Sequence, residues 1–573
     1  MKMSLPCRLV VFLVAFALAG LADATAQRPA AQFGPPVEVS LPALIDVESD
    51  AWLWTSFEGV EVLSLAPADV TRAVAENIAL QRANIQALIP AANRITWDRP
   101  LQVILYGVEN PRPMPLAFVV ILQKKLTDQA REKALENRES KPLDVFVDPK
   151  IVPSTWVEDA DQVSVFNIVA KLRIAELSAL PAASYVEYLL QARRPPQPAW
   201  FVRGFTEFYS RATAVGRDLD LAPLVWVSRA QTQLMLRDKK LDPGLVPLSE
   251  VFAWNTAGQA HADERVRALH TSEAEILIRW VFEAKGPAGI DGLWRFVSGP
   301  TTGPRSEGRF QECLGMTPEA ALAAMRTYLG TAMRKPARLQ LRREARLPAI
   351  ELRAATPIEI ARVKSEWDRL GARTVGKDHP ELRPFYLEQA RRTLARVPAG
   401  SAEAPELLAA RGLVAVDAGD DAAALPLLEQ ACQAPQPRPR AVVELARIRL
   451  AQARAAAGEA KLDAATVDSI TQPLRSLVAF QPAMPLIYQV LAEAWMVAQA
   501  APASADLDLL TQAVRANPTD VPMVIAVARL LIDNGQVDAA REVIDTGLAH
   551  VTDEGGRRRL FAIRSAVRAA APR

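Results

Sequence analysis

The sequence predicts an α+β N-terminal domain, a small sheet plus helices, followed by an all-α helical solenoid. Three observations carry this. Short apolar or alternating runs, "FEGVEVLS", "LQVILYGV", "DVFVD" and "VSVFNIV", stand among the first 170 residues with one long helical pattern between them. From Ala170 to Met333 apolar residues recur at helical spacing. Beyond Pro405 an Ala-rich helix-turn-helix unit recurs, with small residues where two helices must approach. The chain has 573 residues, half of them apolar and 23% charged, with a net charge of +2. At roughly 100 to 200 residues per domain that is two to four domains. So even a charge balance offers no polyanion-coating surface, and no nucleic-acid partner is expected.

In chain order, residues 1–26 read as a secretory signal peptide. Lys2 and Arg8 precede an apolar run from Leu9 to Leu21, and Ala22, Ala24 and Ala26 supply small residues for cleavage. The run is too short for a bilayer span, so the mature protein is expected to be exported, periplasmic or extracellular, and soluble; a retained N-terminal anchor is the alternative. Residues 27–50 form a Pro-rich linker. Residues 51–335 form the first domain. There "PADVTRAVAENIALQRANIQALIP" predicts a helix started at Pro67. Further helices are predicted from "AELSALPAASYVEYLLQA", interrupted near Pro181, and from "PAWFVRGFTEFYSRATA" behind Pro198. "TSEAEILIRWVFEAKG" reads as a helix opened by a Ser272/Glu275 capping box and closed at Gly286. "GIDGLWRFVSG" and "TPEAALAAMRTYLGTAM" complete the domain.

Residues 336–400 are expected to be a helical connector. It opens with the basic stretch "RKPARLQLRREARLP", read as a solvated linker because no aromatics interleave its charges. Residues 401–573 hold the repeats and a capping helix. Cys7 leaves with the signal peptide. Cys313 and Cys432 are predicted as free thiols in packed helix, although an oxidising compartment would permit a bridge between them.

Four units make up the repeats. "ELLAARGLVAVDAGDDAAALPLLEQACQAP" places Gly412, Ala424 and Ala431 at helix contacts, and a second unit opens at Pro439 but carries the insertion "AAAGEAKLDAATVD". The third runs through "PLIYQVLAEAWMVAQ" and "LDLLTQAVRANP". In the last, Ala528, Gly535, Ala540 and Gly547 occupy the small-residue positions of a 34-residue unit. Residues 405 to 553 resemble the tetratricopeptide repeat (TPR) family. The resemblance implies a stack of helix pairs with an extended face that takes a protein or peptide.

The stretch "AASYVEYLLQARRPPQPAWFVRGFTEFYS" carries the one candidate site. Pro198, Trp200, Gly204, Glu207 and Tyr209 stand where a gluzincin, a zinc peptidase of the peptidase MA-like group, has its "P-x-W-x-x-E-G-x-A-E-Y" segment. Residues 50 to 333 resemble that family, which implies a zincin-like fold. Its chemistry needs two His one helical turn apart, a Glu beside the first, and a third ligand on the next helix. Here the third-ligand position is Arg203. The upstream turn can be framed on Val186–Leu190, which keeps Glu187 as the base but makes both ligands aliphatic, or on Ser184–Tyr188, which keeps neither base nor ligands. A permanent guanidinium charge at the third position further disfavours zinc. No cofactor is therefore expected. Ser184, Tyr185, Glu187, Tyr188, Trp200, Arg203 and Glu207 remain as candidates for lining a remnant cleft.

The other chemistry is sparse. Of four His, His261 and His270 each have a Glu three residues on, but they read as a loop residue and a helix start. His379 and His550 read as a turn residue and a last-turn helix cation. No G-x-S-x-G elbow and no phosphate-binding glycine loop occurs. The leading reading is an exported non-catalytic pseudo-metallopeptidase with a TPR-like solenoid, a scaffold or adaptor in the bacterial cell envelope. The alternative is a hydrolase using Glu187, Glu207 and Arg203, and a third reading is a structural module of a larger assembly.

Overall fold

The computed structural model describes residues 52–94, 101–107, 155–161, 164–170, 182–191, 193, 197–215, 218–226, 245–254, 264–299, 301, 306–341, 348–376, 380–480, 483–551 and 553–570. The expected signal peptide, linker, "DVFVD" strand, His261 and His379 lie outside them.

The first strands form a hairpin, β1 (Leu53–Phe57) and β2 (Val60–Ser64). Its two-residue turn has φ of +37° at Glu58 and +77° at Gly59, the left-handed pair that matches strand twist. "FEGVEVLS" is thus the last residue of β1, the turn and β2, and the rest of β1 went unpredicted because "LWTSF" breaks apolar alternation. Helix α1 (Ala68–Leu88) starts behind Pro67, as its sequence predicts. It leads to β3 (Leu101–Gly107), and β4 (Thr155–Glu158) and β5 (Ser164–Ala170) follow.

With β9 (Arg353–Ala354) these make a six-stranded sheet in the order β4-β5-β3-β2-β1-β9. The β2–β3 and β3–β5 pairs are parallel, with Val62 opposite Val103 and Val103 opposite Phe166. The central strand reads as a continuous apolar run because both its faces are covered. Val103 and Leu105 point to the main core with α1, while Ile104 and Tyr106 join Trp52, Trp54 and Val157 on the other face.

The main core is built by helices after the sheet: α2 (Ala182–Gln191), α3 (Ala199–Ser210), α4 (Leu248–Ala253), α5 (Glu264–Trp280), α6 (Gly286–Val297), α7 (Ser306–Leu314) and α8 (Pro318–Ala332). The expected capping box does not form. Ser272 and Glu275 lie inside α5, which begins eight residues earlier at Glu264, and both are buried. Gly286 does end this segment, at φ +59° after a wide turn over Val281–Lys285.

Strands β6 (Ala212–Val215), β7 (Asp218–Leu221) and β8 (Ala337–Gln340) make a second sheet. The stretch read as a solvated linker therefore supplies an edge strand. Leu339 pairs with Leu219, and Arg338 forms a two-pronged ion pair with Asp220 at 2.6 and 3.0 Å. Arg334, Lys335 and Arg338 face solvent, Arg338 on the strand edge, where charge discourages further pairing, which is why composition alone resembled a linker.

Helix α9 (Pro357–Val375), capped by a Thr356/Glu359 box, lays Val363 and Leu370 on the second face of the large sheet. Its other side packs with α10 (Arg383–Ala395) and α11 (Pro405–Asp417) in one cluster of Ala361, Ala372, Leu387, Ala390, Leu407 and Val414. Within the stretch expected to be a helical connector, α9 and α10 pack as a helical hairpin. The array continues through α12 (Asp421–Ala431), α13 (Pro439–Ala457), α14 (Ala464–Arg475), α15 (Pro485–Met496), α16 (Ser504–Ala516), α17 (Val521–Asp533), α18 (Val537–His550) and α19 (Glu554–Ala570). The small residues act as expected. A Cβ on Gly412 would lie 2.6 Å from Leu428 Cδ2, and Ala424, Ala528 and Ala540 are fully buried. Cys313 and Cys432 are free thiols, and burial pushes the Cys432 thiol up to about 11. Among the described residues no helix is long and apolar enough to cross a membrane.

Candidate functional site

Helix α3 is the centre of the first domain. Pro198 sets its entry, and the side chains of Trp200, Phe201, Val202, Phe205, Thr206, Glu207, Phe208 and Tyr209 are all buried. A helix apolar around most of its circumference must be surrounded, and this one is. Trp200 meets Phe252 at 5.2 Å, Phe201 meets Trp294 at 5.0 Å, and Phe208 meets Phe282 at 5.0 Å between ring centroids. Gly204 lets α5 come close: a Cβ there would stand 2.7 Å from the backbone carbon of Ala274. The glycine is demanded by helix crossing.

The polar candidates divide into two sets. Glu187 on α2 and Arg203 on α3 meet across the helix pair, Nη2 to Oε1 at 3.4 Å, with side chains 22% and 38% exposed. Glu207, one turn beyond Arg203, sits with Arg211 at 3.8 Å, and Arg211 also reaches Glu275 of α5 at 3.3 Å. Tyr185 and Tyr188 are buried with rings 6.2 Å apart. Burial pushes the Tyr185 phenol up, and the hydrogen-bonded guanidinium of Arg82 opposes this. Tyr209 is raised as well, again by burial, against a hydrogen bond with Asn84. Ser184 lies in the first turn of α2. The structure thus joins Glu187 with Arg203, gives Glu207 other partners, and commits Trp200, Tyr185 and Tyr188 to the core.

The residues do not fit a zinc ion. In the frame that keeps Glu187, the ligand positions are Val186 and Leu190, both fully buried and without a lone pair to donate. The third position carries a guanidinium. Among the described residues no group of three His, Cys, Asp or Glu side chains could hold a metal.

A second titratable pair, legible in the sequence only as a spacing, forms inside α5. His270 and Glu273 lie on α5, with Nδ1 3.9 Å from Oε2. The His ring stacks on Trp254 at 6.0 Å. The backbone N–H of Val246 donates to Glu273 Oε1 at 2.7 Å, tying the chain ahead of α4 to α5. Burial pushes Glu273 up to about 7, against the Val246 hydrogen bond and with help from the Glu250 charge. Burial likewise pulls His270 down, against Glu250. The motif "HTSE" held this signal. It was read as a helix start because the apolar periodicity begins only after it.

In the helical array, the hairpins α11/α12, α13/α14, α15/α16 and α17/α18 stack in sequence, each against the next, and α19 closes the end. Two kinds of residue initiate their helices. Pro405, Pro439 and Pro485 open first helices, and Asp420, Asp463 and Asp520 accept hydrogen bonds from backbone N–H groups three residues on, at 2.9, 2.8 and 3.0 Å.

Residues 496–558 match the tetratricopeptide repeat family. They run from the end of α15 through α16, α17 and α18 into α19, so the C-terminal helical region is TPR-like by sequence as well as by its stacked hairpins. Among solved structures, the TPR domain of P58(IPK) aligns over 55% of this chain and 86% of that chain, at 11% identity and a TM-score of 0.15. No curated protein matches the chain.

Proposed function

We propose that this chain is an exported, non-catalytic protein whose TPR-like helices bind a protein or peptide, as a scaffold or adaptor in the bacterial cell envelope, and whose first domain is a degenerate relative of the peptidase MA-like group. The observation that carries the binding role is the repeat match over residues 496–558 on consecutive helical hairpins. Such stacks present an extended face suited to a peptide or helix. On α17 that leaves Pro522, Arg529 and Asp533 exposed while every apolar residue from Met523 to Val527 is buried. The non-catalytic part is supported by Val186, Leu190 and Arg203 at the positions where the family would bind metal. It is supported also by Glu187, whose carboxylate already faces the Arg203 guanidinium at 3.4 Å.

The test uses the full-length mature chain immobilised beside an Arg529→Glu/Asp533→Arg variant, probed with a fractionated bacterial envelope extract. A partner retained by the wild type and lost or at least tenfold reduced with the variant is expected. Equal retention by both, or none by either, overturns the assignment of binding to this face. Hydrolysis of any ester or peptide on a broad panel, abolished by Glu187→Gln, would replace the non-catalytic reading.

A further inference from the structure

The turn between β4 and β5 places two carboxylates in the helical array. Asp159 and Asp161, on either side of Ala160, are buried, yet their partners come from segments more than 200 residues away. Asp159 accepts from Arg369 of α9, from Arg373 at 2.6 Å and from Arg438 at 3.0 Å, with Arg440 at 3.7 Å. Asp161 accepts from Arg438 at 2.8 and 3.2 Å, and from the backbone N–H of Arg440 at 3.3 Å. The guanidiniums are cross-braced in turn. Glu366 holds Arg369 at 2.5 Å and Arg438 at 2.8 Å, Asp417 of α11 holds Arg369 at 2.6 Å, and Glu444 of α13 holds Arg440 at 2.5 Å and Arg447 at 2.6 Å. Arg383 of α10 donates to the Asp417 carbonyl. Ala160, at the tip, packs against the apolar core of the array that contains Val442 and Val443.

The consequence is visible on α13. Every residue from Pro439 to Ala446 is buried, including Arg440 and Glu444, so this stretch of a first helix has no open face. Buried charges of both signs are costly to desolvate and persist only when each has several partners. Removing either side would strand the other. Two-pronged guanidinium contacts add a geometric demand that a lysine cannot meet.

We propose that the Asp159–Ala160–Asp161 turn is an electrostatic lock that joins the sheet-bearing unit to the helical array and makes the two unfold as one cooperative body. The lock stands whether or not the array binds a partner. It is closed across neutral and mildly acidic conditions, because the surrounding arginines hold the Asp159 carboxyl well below its usual range and, despite burial, Glu366 at about 2. Only acid strong enough to protonate Asp159 and Glu366 would open it; the charged groups facing them are Asp161, Asp417, Glu444 and arginines 369, 373, 438, 440 and 447.

The experiment compares full-length wild type with Asp159→Asn/Asp161→Asn in urea, followed by tryptophan fluorescence and far-ultraviolet circular dichroism. Of the eleven tryptophans nine precede α9, Trp367 of α9 packs against the sheet and only Trp495 lies farther along, so fluorescence mainly reports the sheet-bearing unit, whereas dichroism reports the helices of both. Coincident transitions are expected for the wild type, and separated ones for the variant, with midpoints at least 0.5 M apart, roughly the resolution a slope of 1 to 3 kcal/mol per M allows. Transitions that shift together without separating would show an ordinary stabilising contact and overturn the lock. If the double variant does not fold, Arg438→Lys keeps the charge and loses the fork. Separation there supports the proposal, while coincidence, or an unfolded spectrum without urea, overturns it.

Discussion

Replacing Glu273 with Gln isolates the cost of burying one carboxyl in the first domain. In the folded chain burial takes this group from 4.5 to about 7. The folded state therefore holds the proton more tightly than the unfolded chain. Its stabilisation is complete below about pH 4.5 and is lost as the pH rises through about 7. The rise of about 2.5 corresponds to about 3 kcal/mol above pH 8, at about 1.4 kcal/mol per unit. Gln is neutral throughout and keeps an oxygen to accept from the Val246 N–H. The bond that the charged form makes is already counted in that rise. Glu273→Gln should thus be about 2 to 3 kcal/mol more stable than wild type at pH 8.5, and equal or up to about 1 kcal/mol less stable at pH 4. His270 acts with the opposite sign, since burial lowers it and favours folding as the pH rises, but it is present in both proteins. Urea unfolding followed by tryptophan fluorescence at pH 4, 5.5, 7 and 8.5 gives the difference directly. A difference independent of pH, or a variant less stable at pH 8.5, would refute the reasoning.

Other substitutions test the packing around the candidate site. Gly204→Ala must move α3 off the Ala274 backbone and should cost about 1 to 3 kcal/mol, read from the same urea titration. Glu187→Gln breaks a partly exposed pair and should change stability by less than about 1 kcal/mol, with the melting temperature nearly unmoved. Thr317→Ala removes the side chain that accepts from the Ala320 N–H at the start of α8 and should cost about 1 kcal/mol. Acid should unfold the chain cooperatively: the depressed carboxyls of Asp159 and Glu366 stabilise it above about pH 4.5, and that contribution is lost as the pH falls toward 2, which dichroism at fixed temperature will follow.

What was legible in the sequence was local. Pro67, Pro198, Pro405 and Pro439 mark helix starts because a missing N–H and a preset φ act within one turn. Gly412 and Ala540 mark helix contacts because only small side chains allow the approach. The strand Leu101–Gly107 was visible because burial on both faces leaves the apolar run Val103–Tyr106. Strands β1, β4 and β9 were not, since their pairing is decided by neighbours far along the chain: Trp54 faces Leu63 on one side and Arg353 on the other. The candidate site was half legible. The two helices and Glu187, Arg203 and Glu207 as candidates could be named from the sequence, yet nothing local tells that Glu187 would meet Arg203 while Glu207 turns to Arg211 and Glu275.

The largest electrostatic feature was invisible for the same reason. "EDADQ" and "PRPRAVVELAR" each look like solvated charge, and each would be if left alone. Desolvation is tolerable only because Asp159 and Asp161 arrive on a sheet hairpin at the place where Arg438 and Arg440 begin a helix. A sequence window reports the sign of a charge but not its distance from the opposite one. In this chain that distance decides what the charges do. The remnant pair Glu187 and Arg203 stays partly in water and carries little energy. The buried arginine cluster, drawn from four segments of the chain, has no such shielding, and it is there that removing a single charge should be felt across both halves of the molecule.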